Sequence, residues 1–97
     1  MARKEKIKTA KQIERHMKGV ANHRRIEILL LIGKNKGIIL EDIAEILEVN
    51  IKTISEHTRR LTQAGLVDKK HRGRMVEHSL SPYGKTFTQF ILTFQHS

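Results

Sequence analysis

The sequence predicts a mainly α-helical domain of about five helices with one small two-stranded β-hairpin. Three observations carry this. Apolar residues recur at spacings of three and four over most of the chain, which is the period of one buried helix face. Between Leu66 and Leu80 that period gives way to two short strand-like runs around a glycine. The chain has 97 residues, enough for one core and too few for two, so residues 1–97 are expected to form a single domain.

Arg3 to Lys18 reads as a first helix, with Ile7, Ala10, Ile13 or Glu14, and Met17 along one narrow side and Arg3, Lys4, Lys8, Lys11 and Arg15 making the remainder basic. Such a stripe suits packing against another subunit or across the body of the domain; a frayed basic tail is the plain alternative. Asn22 is a good N-cap for a second helix. There Ile26, Leu29, Leu30 and Gly33 keep a helical period, and Ile28, Leu31 and Ile32 broaden it nearly all round, which places it mid-core. Lys34 to Gly37 is a turn signal. Ile38 to Leu40 has the β-branched character of a strand stub. Leu40 to Leu47 then opens with acidic residues that favour a helix N-terminus and turns Ile43, Ala44 and Leu47 inward.

The fourth helix lies within Leu47 to Val67, with Asn50 as its N-cap and Gly65 at its end. Ile54, Thr58, Leu61 and Ala64 share its inner face. Its outer face carries Lys52, Glu56, Arg59 and Gln63, long polar side chains of which three bear hydrogen-bond donors. Donors on a rigid helix are what reading base edges in a major groove requires. Such a face alone is more often solvated surface. Here it follows a short helix after about four residues, which is the helix-turn-helix arrangement.

Leu66 to Lys70 and Met75 to Leu80 read as strands joined through His71 to Arg74, where the glycine suits a hairpin turn. Arg72 and Arg74 at the tip, with Lys69, Lys70 and His71 beside them, make a basic finger of the kind that enters a minor groove; an exposed hairpin kept soluble by its charges is the alternative. Ser81 and Pro82 then start a last helix as cap and first residue. Phe87, Phe90, Ile91 and Phe94 form its apolar stripe, holding three of the four aromatic residues. The middle helices already supply a core, so this stripe is expected to form a subunit interface.

Charge narrows the function. The net charge is +9 and the isoelectric point about 10.3, above the value of about 9 that marks a nucleic-acid-binding footprint. Residues 1–25 carry +7, residues 26–50 carry −3, residues 51–80 carry +4 and residues 81–97 carry +1. Only 38% of residues are hydrophobic, thin for an independent monomer, which points to burial against a second copy. There is no cysteine, hence no disulfide, thiolate metal site or thiol nucleophile. The longest apolar runs, Ile28 to Ile32 and Ile38 to Leu40, fall far short of the roughly 18 residues of a membrane span. Met1 to Lys11 has no signal-peptide core, so the expected location is the cytoplasm. No glycine-rich phosphate loop and no Ser/His/Asp spacing suggests an enzyme. His16, His23, His57, His71, His78 and His96 show no zinc-like pairing; His16 with Glu14, or His78 across a dimer, are the residual ligand possibilities.

Ile54-Ser55, His57, Leu61 and Ala64-Gly65-Leu66-Val67, followed by the basic hairpin, resemble the recognition-helix signature of ArsR-type winged-helix transcriptional regulators, in outline over residues 20–95. Leu80-Ser81-Pro82-Tyr83-Gly84 is similar to the hairpin-to-helix junction of MarR-type regulators. The resemblance implies a winged helix-turn-helix fold and a homodimer formed by the first and last helices, residues 1–19 and 82–97, through Ile7, Ala10, Met17, Phe87, Phe90, Ile91 and Phe94. It further implies recognition helices in successive major grooves of double-stranded DNA, with the wings on flanking DNA. The candidate contacts are Lys52, Thr53, Ser55, Glu56, Arg59, Arg60 and Gln63 from the helix and Lys69, Lys70, Arg72 and Arg74 from the wing. Thr58 stands where this family has a larger apolar residue. The family's metal-sensing motifs are missing: Glu41-Asp42-Ile43-Ala44-Glu45 holds no cysteine, and Tyr83 to Gln95 holds neither histidine nor acid. No cofactor or metal is therefore expected, and the function implied is a repressor without cysteine-based sensing. A winged-helix module for protein or RNA is the alternative; RNA would favour exposed stacking aromatics beside the basic surface.

Overall fold

A computed structural model describes residues 7–97 of the protein. Five helices and three short strands follow one another as α1 (Ala10–Val20), α2 (His23–Lys34), β1 (Ile38–Ile39), α3 (Leu40–Leu47), α4 (Ile51–Gln63), β2 (Val67–Arg72), β3 (Met75–Leu80) and α5 (Pro82–Gln95). The strands form one antiparallel sheet in the order β1-β3-β2.

The first helix starts later than its periodicity suggests. Thr9 accepts from the Gln12 backbone N–H at 3.2 Å while Gln12 returns a bond to the Thr9 N–H at 2.8 Å. This reciprocal box satisfies two orphan donors and fixes the start at Ala10. Ile7 therefore stands outside the helix, and the expected helix over residues 3–6 lies outside the described residues. The buried side of α1 is His16 and Val20, whereas Ala10, Ile13 and Met17 face outward.

Asn22 caps α2 by accepting from the N–H groups of Arg24 and Arg25. Ile28, Leu29 and Ile32 from this helix meet Ile43 of α3, Ile54 and Leu61 of α4, Leu66, which precedes the strand rather than opening it, and Val67 at the start of β2, all essentially inaccessible. Each such side chain contributes about 1.5–3 kcal/mol by leaving water. Leu30 and Leu31 are only half-buried, so the helix is core on one side rather than all round. The stub Ile38–Ile39 pairs with Glu77 and His78 of β3, which makes the sheet three-stranded and leaves only β2 and β3 to extend as a hairpin. Val67 pairs with Leu80 and Arg72 with Met75; His71 and Arg72 thus belong to the strand rather than to the turn.

Helix α5 packs back onto this layer through Gly84. A Cβ there would overlap the carbonyl of Leu66, so only glycine admits the approach. Ser81 organises the same junction: its Oγ donates to the Gly65 carbonyl at 2.6 Å and accepts from the Gly84 N–H at 3.0 Å. Among the described residues no helix is long and apolar enough to cross a membrane.

Candidate nucleic-acid interface

The turn between α3 and α4 is tight. Glu48 adopts the left-handed conformation, φ 54°, and donates its N–H to α3 carbonyls, ending α3 two residues before Asn50 caps α4 by accepting from the Lys52 N–H at 2.8 Å. Helix α4 is then pinned by Ile54, Thr58 and Leu61, each fully buried. Thr58 does not leave a polar orphan under the helix, because its hydroxyl donates to the Ser55 carbonyl at 3.0 Å. Lys52, Thr53, Ser55, Glu56, Arg59, Arg60 and Gln63 are all exposed on the opposite side.

Glu56 is the electrostatic centre of that side. Its carboxylate takes the Arg59 guanidinium through both Nε and Nη2 and the Arg60 Nε at 2.9 Å. Those hydrogen bonds, Arg59 first and Arg60 second, hold its pKa down to about 2. Glu56 thus clamps two arginines whose side chains remain half exposed.

The wing lies beside this helix. Lys69, Lys70, Arg72 and Arg74 are exposed along β2 and its turn. Gly73 (φ +60°) and Arg74 are the two turn residues, and glycine at the first of them is what a type II′ hairpin needs. Arg72 pairs with Glu77 across the hairpin at 3.2 Å; Arg74 has no carboxylate partner among the described residues. The Lys69 ammonium is lowered below its ordinary value by burial and then by repulsion from Arg59. Helix α4 and strand β2 are in contact, and both carry exposed cations, Lys52, Arg59 and Arg60 on the helix and Lys69 and Lys70 on the strand.

Two histidines are structural. His78, buried at the β1–β3 pair, bonds through Nδ1 to the Ile38 carbonyl at 3.1 Å. His16 donates from Nδ1 to the Ala64 carbonyl, so Nε2 accepts from the Lys8 ammonium at 2.9 Å. His16 thus has both ring nitrogens engaged, and among the described residues no three His, Cys, Asp or Glu side chains gather as a metal site. His57, on the flank of α4, is lowered by burial and by Arg25 and Arg24. That proximity exposes something the sequence reading missed: Arg25 of α2 stands by the recognition helix. The available signal was two arginines in a helix first turn that holds no acid.

The expected interface residues divide. Ile7, Met17, Phe90 and Phe94 are 79, 54, 60 and 69% exposed, and Ala10 is exposed with them. Phe87 and Ile91 instead pack against the domain core. The last helix thus spends half its stripe against the core, contrary to the expectation that the middle helices complete the core without it.

A helix-turn-helix followed by a basic antiparallel hairpin defines a winged helix-turn-helix protein. Residues 21–73 match the model of the MarR family, and the chain belongs to that family of winged-helix transcriptional regulators. No curated protein matches it. Solved structures of similar fold include HlyU from Vibrio cholerae, 22% identical over 95% of this chain and 100% of that one, TM-score 0.83. A Mycobacterium bovis fragment described as a homodimeric winged helix-turn-helix DNA-binding domain and a possible ArsR-family regulator is 25% identical over 99% of this chain and 91% of its own, TM-score 0.82. FabT of Streptococcus pneumoniae, solved in complex with DNA, is 14% identical over 88% of this chain and 66% of its own, TM-score 0.72. The fold thus unites the ArsR-type and MarR-type likenesses.

Proposed function

We propose that the protein is a cytoplasmic, homodimeric, sequence-specific repressor that binds double-stranded DNA, with residues 1–97 serving as both DNA-binding and dimerising unit. The observation that carries this reading is the packing of α4 against the wing strand β2, both bearing exposed cations, which offers one polyanion both a helix for the major groove and a ribbon for its flank. The reading surface comprises Lys52, Thr53, Ser55, Arg59, Arg60 and Gln63, with Glu56 holding the arginines; Lys69, Lys70, Arg72 and Arg74 supply backbone and minor-groove contacts. Ile7, Ala10, Ile13 and Met17 together with Phe90 and Phe94 are the surface on which a second copy would pack. The homodimeric and DNA-bound states of structurally similar regulators support this geometry. Exposed aromatics belong to α5, not to the basic surface, which counts against single-stranded RNA.

Selection from random duplexes tests the proposal. It should return a two-fold symmetric site with half-sites about one helical turn, roughly 10–10.5 base pairs, apart, bound with an affinity that falls steeply with salt. Equal affinity for every duplex would defeat the claim of sequence specificity.

A further inference from the structure

Where α1, α2 and α4 meet, Arg15, Lys18, Arg25, Arg60 and Gln63 line a hollow of about 320 Å³ floored by Gly19 and Ala64, which adjoins the exposed side of α4 through Arg60 and Gln63. That volume is at the small end of ligand sites, roughly 300–1,000 Å³, and the four cations around it favour an occupant that carries negative charge.

Among the described residues these charges are only partly neutralised. Lys18 has a single solvent-screened partner, Glu14, at 3.4 Å, a pair of little strength. Arg60 spends its Nε on Glu56 and Arg15 one Nη2 on the Gln63 carbonyl at 3.1 Å, which leaves other N–H groups on both. Arg25 Nε is buried without a hydrogen-bond partner among the described residues, an arrangement that costs free energy unless something accepts from the group. Arg25 also sits in the first turn of α2 beside Arg24, with no acid there. This is the positive end of the helix dipole, which disfavours cations and favours an anion. The α2 cap N–H groups are already taken by Asn22, so the arginine and lysine side chains, not the helix backbone, are the donors on offer.

We propose that this hollow is a binding site for a phosphate group. A tetrahedral dianion with several acceptor oxygens matches converging guanidinium and ammonium donors, and Arg25 and Arg60 can each bind it through a fork. The group can come from the DNA backbone, a source that rests on the function proposed above, or from a free phosphate-bearing small molecule, which does not.

Two measurements on the full chain at fixed protein concentration separate the sources. Thermal unfolding is compared in saturating inorganic phosphate and in chloride of equal ionic strength, and the slope of log affinity against log salt is measured on duplex DNA, for the native protein and for Lys18→Gln, Arg25→Gln and Lys85→Gln. Lys18 is an exposed residue whose replacement leaves the core intact, so the test survives a failure of the Arg25 variant to fold. Lys85, on α5, is the distant control. A free phosphate ligand raises the midpoint of the native protein by about 4–8 °C, a shift that Lys18→Gln and Arg25→Gln diminish and Lys85→Gln preserves. A backbone phosphate leaves the midpoint alone, but each of the two variants flattens the salt slope by about one per subunit. If neither quantity changes, or Lys85→Gln changes both equally, the site is overturned. A protein that bound no DNA at all would refute the function proposed above while the phosphate-induced shift still decided the site.

Discussion

His16 of α1 donates from Nδ1 to the carbonyl of Ala64, the C-cap residue of the recognition helix. Arg15, the residue before it, donates to the Gln63 carbonyl at 3.1 Å. The helix whose outer side exposes Ile13 and Met17 thus holds the last turn of the helix proposed to read DNA, by satisfying carbonyls that α4 cannot satisfy itself. His16→Phe keeps the ring volume and its packing with Tyr83 and Phe87 but removes the donor. It should lower stability by about 1–3 kcal/mol, the cost of a buried carbonyl left without a partner, seen as a lower urea midpoint. An unchanged midpoint would mean that the bond adds nothing to the hold on α4.

Arg59→Ala and Glu56→Gln should shift DNA binding in opposite directions, the first at the selected operator and the second on unrelated duplexes. Arg59→Ala removes a donor fork from the reading face and is expected to weaken operator binding by about 1–3 kcal/mol if its base contact is bidentate. Glu56→Gln releases Arg59 and Arg60 from their shared carboxylate, removes a negative charge from the surface, and should tighten binding to unrelated duplexes while narrowing the gap to the operator. Fluorescence anisotropy on both duplexes at two salt concentrations measures this. If Arg59→Ala left operator affinity untouched, the reading face would have to be sought elsewhere on α4.

The helices and wing were legible because their signals are local: Asn22, Asn50 and Ser81 are caps in both sequence and structure, and the inner residues of α4 follow its period. What was not legible depends on approach in three dimensions. The Thr9–Gln12 box was overridden by an apolar spacing that extends through Ile7. The third strand depends on where β3 passes Ile38, as does the burial of His78. Phe87 and Phe90 are equivalent in the sequence pattern, yet one packs on the core and the other is exposed; only the seat of α5 on Gly84 distinguishes them. The convergence of Arg15, Lys18, Arg25 and Arg60 from three helices leaves no spacing to detect.

That division of α5 determines how dimerisation is tested. Removing the helix would strip Phe87 and Ile91 from the core and unfold the chain. Phe90 and Phe94 stack on each other with ring centroids 5.8 Å apart and remain exposed. Phe90→Glu with Phe94→Glu should therefore yield a folded monomer by sedimentation and circular dichroism, because four carboxylates, two from each copy, could not be buried together without partners. A double variant that still sediments as a dimer would move the interface off this helix.

Stability should depend on pH through His78. The ring is 1% exposed, and burial lowers its pKa below the ordinary 6.5 even though the Ile38 carbonyl bond opposes the shift. His57 is shifted the same way, by burial first and then by Arg25 and Arg24. In the unfolded chain both rings take up protons as pH falls through the ordinary value, while the folded chain resists until lower pH. The unfolded state therefore binds more protons in that interval, and stability declines on acidification. The contribution is fully present above pH 6.5 and is lost as pH drops through the lower folded-state values. Urea midpoints measured from neutral to mildly acid pH should fall. His78→Asn, which can still donate toward the Ile38 carbonyl and does not titrate, should flatten the curve while lowering its neutral plateau through lost packing. A native midpoint that rose on acidification would contradict the sign derived for both rings.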